Sequence, residues 1–164
     1  MRKQKGFSLI ELLIVVAIIL IIAAIAIPNL LRSRIAANEA SAVGSMRTIN
    51  TAQVTYASTY PSVGFASTLS VLGPGSTVTT TATSTNAILL DSVLGCTTAT
   101  CVKSGYIFAV TGGTAVNNIV NTYTSTASPV TIDQTGKRYF FSDASGVIRY
   151  NTTTTATSAD NPLQ

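Results

Sequence analysis

The sequence predicts an α+β fold. One long N-terminal helix, apolar all round in its first half and amphipathic in its second, packs on a roughly four-stranded antiparallel sheet. Three observations predict it. Between Phe7 and Ile27 the only polar side chains are Ser8 and Glu11. From Ile35 to Tyr60 a mostly apolar stripe repeats every seven residues. From Tyr106 onward the pattern changes to strand-like alternation broken by Gly, Asn and Asp.

The first element is a membrane-directed segment. Arg2, Lys3 and Lys5 precede Gly6, and the apolar run of residues 7–27 follows at once. At 1.5 Å per residue that run covers about 30 Å, enough to cross the hydrocarbon of a bilayer. The basic flank should stay cytoplasmic. An ordinary secretory signal peptide would be cut at Ala24-Ile25-Ala26. However, the run is longer than the usual 7–15 apolar residues. It also carries Glu11, whose unpaired charge in lipid costs on the order of 2–3 kcal/mol. A plain signal anchor tolerates the length and leaves Glu11 unexplained. A cut between Gly6 and Phe7 accounts for both features. The retained run would then begin with a charged amine on Phe7, one helical turn from Glu11. The two could neutralise each other within a chain or between neighbours, and Glu11 would also meet the positive end of the helix dipole.

The stretch KGFSLIELLIVVAIILIIAAIAIPNLLRSR resembles the N-terminus of type IV prepilins and related pseudopilins. The short basic leader, Gly6, Phe7, Glu11 and Pro28 all match, over about the first 30 residues. The segments RSRIAANEASAVGSMRTINTAQVTY and YFFSDASGVIRYN are also similar to bacterial type IV pilin sequence, less diagnostically. The resemblance implies a leader of residues 1–6 removed by a membrane-embedded prepilin peptidase. It implies an N-methylated Phe7, Glu11 as the assembly carboxylate, and Pro28 within the assembly helix. It implies the pilin fold and a homopolymer raised by an inner-membrane assembly platform, with lipid as the neighbour beforehand. Localisation would then be single-pass in the cytoplasmic membrane, followed by a cell-surface filament. A pseudopilin of a type II secretion system, forming a periplasmic pseudopilus, shares every N-terminal feature. A membrane-anchored extracytoplasmic binding domain is a further alternative, and it predicts a retained leader or a cut near Ala26.

The remaining elements follow in order. Pro28 removes one helical hydrogen bond, but the pattern downstream is still helical, so one helix is expected from about residue 8 to 60. Its transmembrane, polymerising part is 7–27 and its amphipathic part is 28–60. Ile35, Ala42, Ile49 and Tyr56 form one row. Glu39, Met46, Gln53 and Tyr60 form the next, with polar breaks at Glu39 and Gln53. Gly44 weakens this helix by roughly 1 kcal/mol relative to Ala, and Pro61 ends it. Residues 61–104, rich in Gly, Pro, Ser and Thr, read as an irregular connection with one turn of helix around Ala87–Leu94, and the resemblance implies that this is the variable segment of pilins. GYIFAVTG places Tyr106, Phe108 and Val110 on one face. IVNTYTST follows, and KRYFFSD and GVIRY flank a short DASG hairpin loop. The sheet therefore occupies 105–151, and 152–164 reads as a flexible polar tail. Asn151-Thr152-Thr153 fits a glycosylation sequon, a weak three-residue match.

Composition excludes several functions. The formal charge is +4, from ten basic and six acidic residues. Without Arg2, Lys3 and Lys5, seven bases face six acids, which leaves no basic surface for nucleic acid. There is no His and no Trp, no nucleophile elbow, no phosphate loop, and no close carboxylate pair for acid–base work. No enzymatic activity and no cofactor or metal is expected. A calcium role for the SDASG loop would need six or more oxygens. Cys96 and Cys101, in an exported chain, point to a disulfide rather than two free thiols. Closing so short a loop contributes roughly 2 kcal/mol.

Overall fold

The computed structural model describes residues 6–75 and 81–163. Leader residues 1–5, residues 76–80 of the connection and the last tail residue, Gln164, lie outside them. The chain divides into two compact units, 1–34 and 35–164.

Helix α1, Leu9–Thr59, is continuous and contains Pro28. The proline costs one backbone hydrogen bond without stopping the helix, because the residues on both sides are good helix formers. In the first unit its large apolar side chains from Phe7 to Leu31 are exposed. The helix is long and apolar enough to cross a membrane.

In the second unit the seven-residue stripe is the buried face. Ile35, Glu39, Ala42, Met46, Ile49, Gln53 and Tyr56 are all buried. The core continues through Leu69, Leu72, Leu90, Leu94, Tyr106, Phe108 and Phe140. The polar breaks in the stripe have specific partners. Gln53 Nε2 donates to the Ala66 carbonyl at 2.9 Å, and its Oε1 accepts the Ala66 N–H at 2.9 Å. The side-chain amide thus satisfies a buried loop backbone in both directions. Glu39 Oε1 accepts the N–H groups of Lys137 and Arg138 at 2.9 and 3.2 Å, while Oε2 pairs with Arg138 Nε at 2.7 Å.

The connection differs from expectation. Its helical turn is α2, Leu69–Leu72, and residues 87–94 are not helical. Ala87, Leu90 and Leu94 are buried at helix-like spacing, yet they belong to a loop that wraps α2. The N–H groups of Ala87 and Leu89 donate to the carbonyls of Val71 and Leu72, each at 2.8 Å. Ile88 has φ 52°, a conformation that a helix excludes. Asp91 Oδ1 then accepts the Leu94 N–H at 2.7 Å and turns the chain. Here the Gly73 and Gly95 backbones touch, so a Cβ on Gly73 would fall 2.6 Å from the Gly95 Cα.

The strands are β1 Cys101–Lys103, β2 Tyr106–Gly112, β3 Ala115–Val116, β4 Ile119–Val120, β5 Tyr123–Pro129, β6 Tyr139–Asp143, β7 Arg149–Asn151 and β8 Asn161–Pro162. They form an antiparallel sheet in the order β1-β2-β5-β6-β7-β8, and β3 and β4 pair separately. The expected four strands are present as β2, β5, β6 and β7. The added edges, β1 and β8, are too short for alternation to reveal them. The stretch IVNTYTST splits, because Asn117 and Asn118 take φ of 52° and 64° and fold Ile119–Val120 back onto Ala115–Val116. Tyr106, Phe108 and Val110 point into the core as the alternation requires.

The tail also departs from expectation. Pro162 pairs with Arg149 and Asn161 with Tyr150, Ala156 is buried, and the Leu163 N–H donates to the Ile148 carbonyl at 2.8 Å. Thr-rich composition reads as loose chain, but Asp160 holds the turn. Its Oδ2 accepts the Thr157 N–H at 2.6 Å and its Oδ1 accepts Asn151 Nδ2 at 2.8 Å.

Candidate functional site

The N-terminal segment is the candidate site, and its geometry starts at Gly6 and Phe7. Both precede the helix, and Phe7 is 83% exposed. The Ser8 carbonyl accepts the Leu12 N–H at 3.2 Å, so Ser8 is the residue at which helical bonding begins. Glu11, three residues on, reaches back, and its Oε2 accepts the Ser8 N–H at 2.8 Å. This is the glutamate half of a capping box, in which a carboxylate satisfies an N–H that the helix start leaves without a partner. The sequence leads one to expect Glu11 opposite an amine on Phe7, its own or a neighbour's, only once the chain is cut after Gly6. In the uncut chain the Phe7 nitrogen is an amide, and Glu11 is instead held by Ser8. The signal was available, since Ser8-Leu9-Ile10-Glu11 has the S-x-x-E spacing.

Pro28 lies within α1, about five turns beyond Glu11. Its ring nitrogen has no hydrogen, so the carbonyl one turn earlier loses its helical donor there. The structure places Gly6, Phe7, Glu11 and Pro28 along one segment. Cys96 and Cys101 are far away in sequence, joined as a disulfide with Cα atoms 5.7 Å apart at the start of β1.

The second unit offers less chemistry. Asp143 of the DASG turn is engaged locally, its Oδ1 accepting Ser145 N–H at 2.9 Å and Ser145 Oγ–H at 2.5 Å. No group of three or more potential metal ligands occurs among the described residues. Asn151 of the sequon spends its amide on Asp160, and its carbonyl oxygen accepts the Thr153 and Thr154 N–H groups at 2.9 and 3.2 Å. Burial raises the Tyr106 hydroxyl above its ordinary pKa, and the nearby Glu39 charge adds to this. Burial, with Asp143 adding, pushes Tyr123 up to about 12. The Tyr123 hydroxyl donates to Asn50 Oδ1 at 3.1 Å. These are interior positions that pack α1 on the sheet.

Comparison with known proteins bears on the N-terminal segment. The family model of the prokaryotic N-terminal methylation motif matches residues 1–27. The chain is similar to type IV pilins over part of its length. Over 39 residues the chain is 67% identical to the type IV wide pilus major component PilA4 of Thermus thermophilus, which covers 24% of this chain and 30% of that protein. Over 54 residues it is 45% identical to the type IV major pilin protein PilA of Myxococcus xanthus, covering 33% of this chain and 24% of that protein. The matched region thus spans less than a third of either relative's length. No solved structure matches the chain. The methylation motif covers Gly6, Phe7 and Glu11 and ends just before Pro28.

Proposed function

We propose that this chain is a structural subunit of a type IV pilus filament and not an enzyme. One observation carries the reading: in a chain similar to two pilus components, a methylation motif over residues 1–27 coincides with a segment whose large apolar side chains are uncovered from Phe7 to Leu31. In this reading prepilin peptidase removes residues 1–6, cutting between Gly6 and Phe7 and methylating Phe7. The segment 7–27 holds the subunit in the cytoplasmic membrane. It then moves from lipid into a bundle of like helices at an inner-membrane assembly platform.

Lipid and helix neighbours are about equally apolar, so the transfer gains little from hydrophobicity, and polar pairs decide register. Glu11 is suited to this. Its Oε2 is held by Ser8 N–H, which orients the carboxylate toward the start of the helix. Cleavage would add a charged amine there, and a carboxylate has lone pairs for both donors. Pro28 would loosen the helix beyond the membrane span.

Two measurements test this. N-terminal sequencing and intact mass of the mature protein should give a chain starting at Phe7 with one added methyl. A start near Ala26, or an intact leader, would overturn it in favour of an anchored domain. Glu11→Ala should still insert and be processed but yield few filaments, because the register-setting pair is gone. Surface filaments at wild-type yield from that variant would exclude the proposed role for Glu11. The names of both relatives favour a pilus over a secretion pseudopilus. Electron microscopy of the cell surface for filaments containing this chain distinguishes the two.

A further inference from the structure

We propose that Arg32 and Arg34 form a two-sided cationic collar that binds the phosphate headgroups of anionic phospholipid at the outer end of the membrane segment. The proposal rests on the membrane reading above and names a lipid class that the reading does not contain. Arg32 and Arg34 are exposed on α1. The ion pairs among the described residues involve Lys103, Lys137 and Arg138, so neither arginine has a carboxylate neighbour there. Between them the Ser33 hydroxyl donates back to the Asn29 carbonyl at 3.0 Å and does not compete for a ligand.

Position follows from helix geometry. Residues 7–27 span about 30 Å, the thickness of the hydrocarbon. Arg32 follows Ile27 by five residues, about 7–8 Å, and Arg34 by about 10 Å. A headgroup layer is roughly 5–7 Å thick on each side. Helix side chains lean toward the N-terminus, so both guanidinium groups reach back into that layer while Leu30 and Leu31, both exposed, stay against its inner edge. Two residues apart on a helix is about 200°, so the arginines face opposite sides and meet different lipids. Guanidinium matches phosphate in planar, two-point fashion.

The test uses the full-length chain in nanodiscs of phosphatidylcholine with phosphatidylglycerol at 7:3. Lipid co-purifying after mild detergent exchange is quantified by mass spectrometry. The wild type should enrich phosphatidylglycerol several-fold over the Arg32→Gln/Arg34→Gln variant, about fivefold per guanidinium. Any contribution from Arg2, Lys3 and Lys5 is common to both. Arg32→Lys/Arg34→Lys should recover part of the enrichment. Inorganic phosphate at a tenfold excess should not remove it. Equal enrichment in wild type and the Gln variant overturns the proposal, and full displacement by inorganic phosphate overturns the lipid assignment. Resistance to carbonate extraction, read on the same samples, reports insertion itself. Loss of extraction resistance in the wild type would sink the membrane reading, whereas retained insertion with no enrichment sinks only the collar.

Discussion

Gln53 shows how one residue can look like an error in a pattern and still be required by it. It is fully buried in the stripe of α1, and its amide holds the Ala66 N–H and carbonyl together. Gln53→Leu keeps the volume but leaves two buried backbone groups without partners. A loss of about 2–4 kcal/mol follows, to be read as a lower urea midpoint with an unchanged slope for the full chain in detergent. A shift below about 0.5 kcal/mol would mean that water or rearrangement replaces the pair. Tyr123 makes a prediction in pH. Its folded pKa is raised to about 12 from an ordinary 10.0, so the neutral form is favoured by folding. Its contribution is fully present below pH 10 and is lost as pH rises from about 10 to about 12. Thermal melts over that window should fall more steeply for wild type than for Tyr123→Phe. In the sequence Glu39 and Gln53 stand out only as breaks in apolarity, because their partners, Arg138 and Ala66, are set by tertiary structure and not by spacing.

At the scale of elements, legibility tracks length. The long helix was readable from Ser8 to Pro61 because periodicity accumulates over many turns, and β2 because Tyr106, Phe108 and Val110 alternate. Short elements escape. Three residues of β1 and two of β8 carry no period, and the helix-like spacing of Ala87, Leu90 and Leu94 belongs to a loop folded over α2. At the candidate site, the place of Glu11 near the helix start is legible from residue order alone, while the leader boundary belongs to the proposal. The Ser8–Glu11 bond was legible in principle from S-x-x-E spacing. The disulfide is the element-scale prediction. Cys96–Cys101 closes a short loop ahead of β1. Cys96→Ser/Cys101→Ser should lose about 2 kcal/mol by the chain-entropy argument. Amide exchange should then show faster opening at Val102 and Lys103, while protection at Phe108 stays as it is. Equal loss of protection across β2 and β5 would show that the bridge supports the whole sheet and not its edge.

At the scale of the molecule, the two units use apolar residues in opposite ways. From Ile35 onward the helix hides its stripe under a sheet, and before that it leaves every side uncovered. The sheet's edges have a consequence for how copies of this chain can join. One edge, β1, is three residues long, bridged at Cys101 and charged at Lys103, whose ammonium is held by Asp91 at 3.1 Å. The other, β8, contains Pro162, which has no N–H to offer a further strand. Both ends of the ladder are thus closed to an incoming backbone. Crowded copies are therefore discouraged from lengthening one another's sheets at these two edges, which favours association through side chains. A polymer joined that way can come apart subunit by subunit, whereas a continuous hydrogen-bonded ribbon cannot.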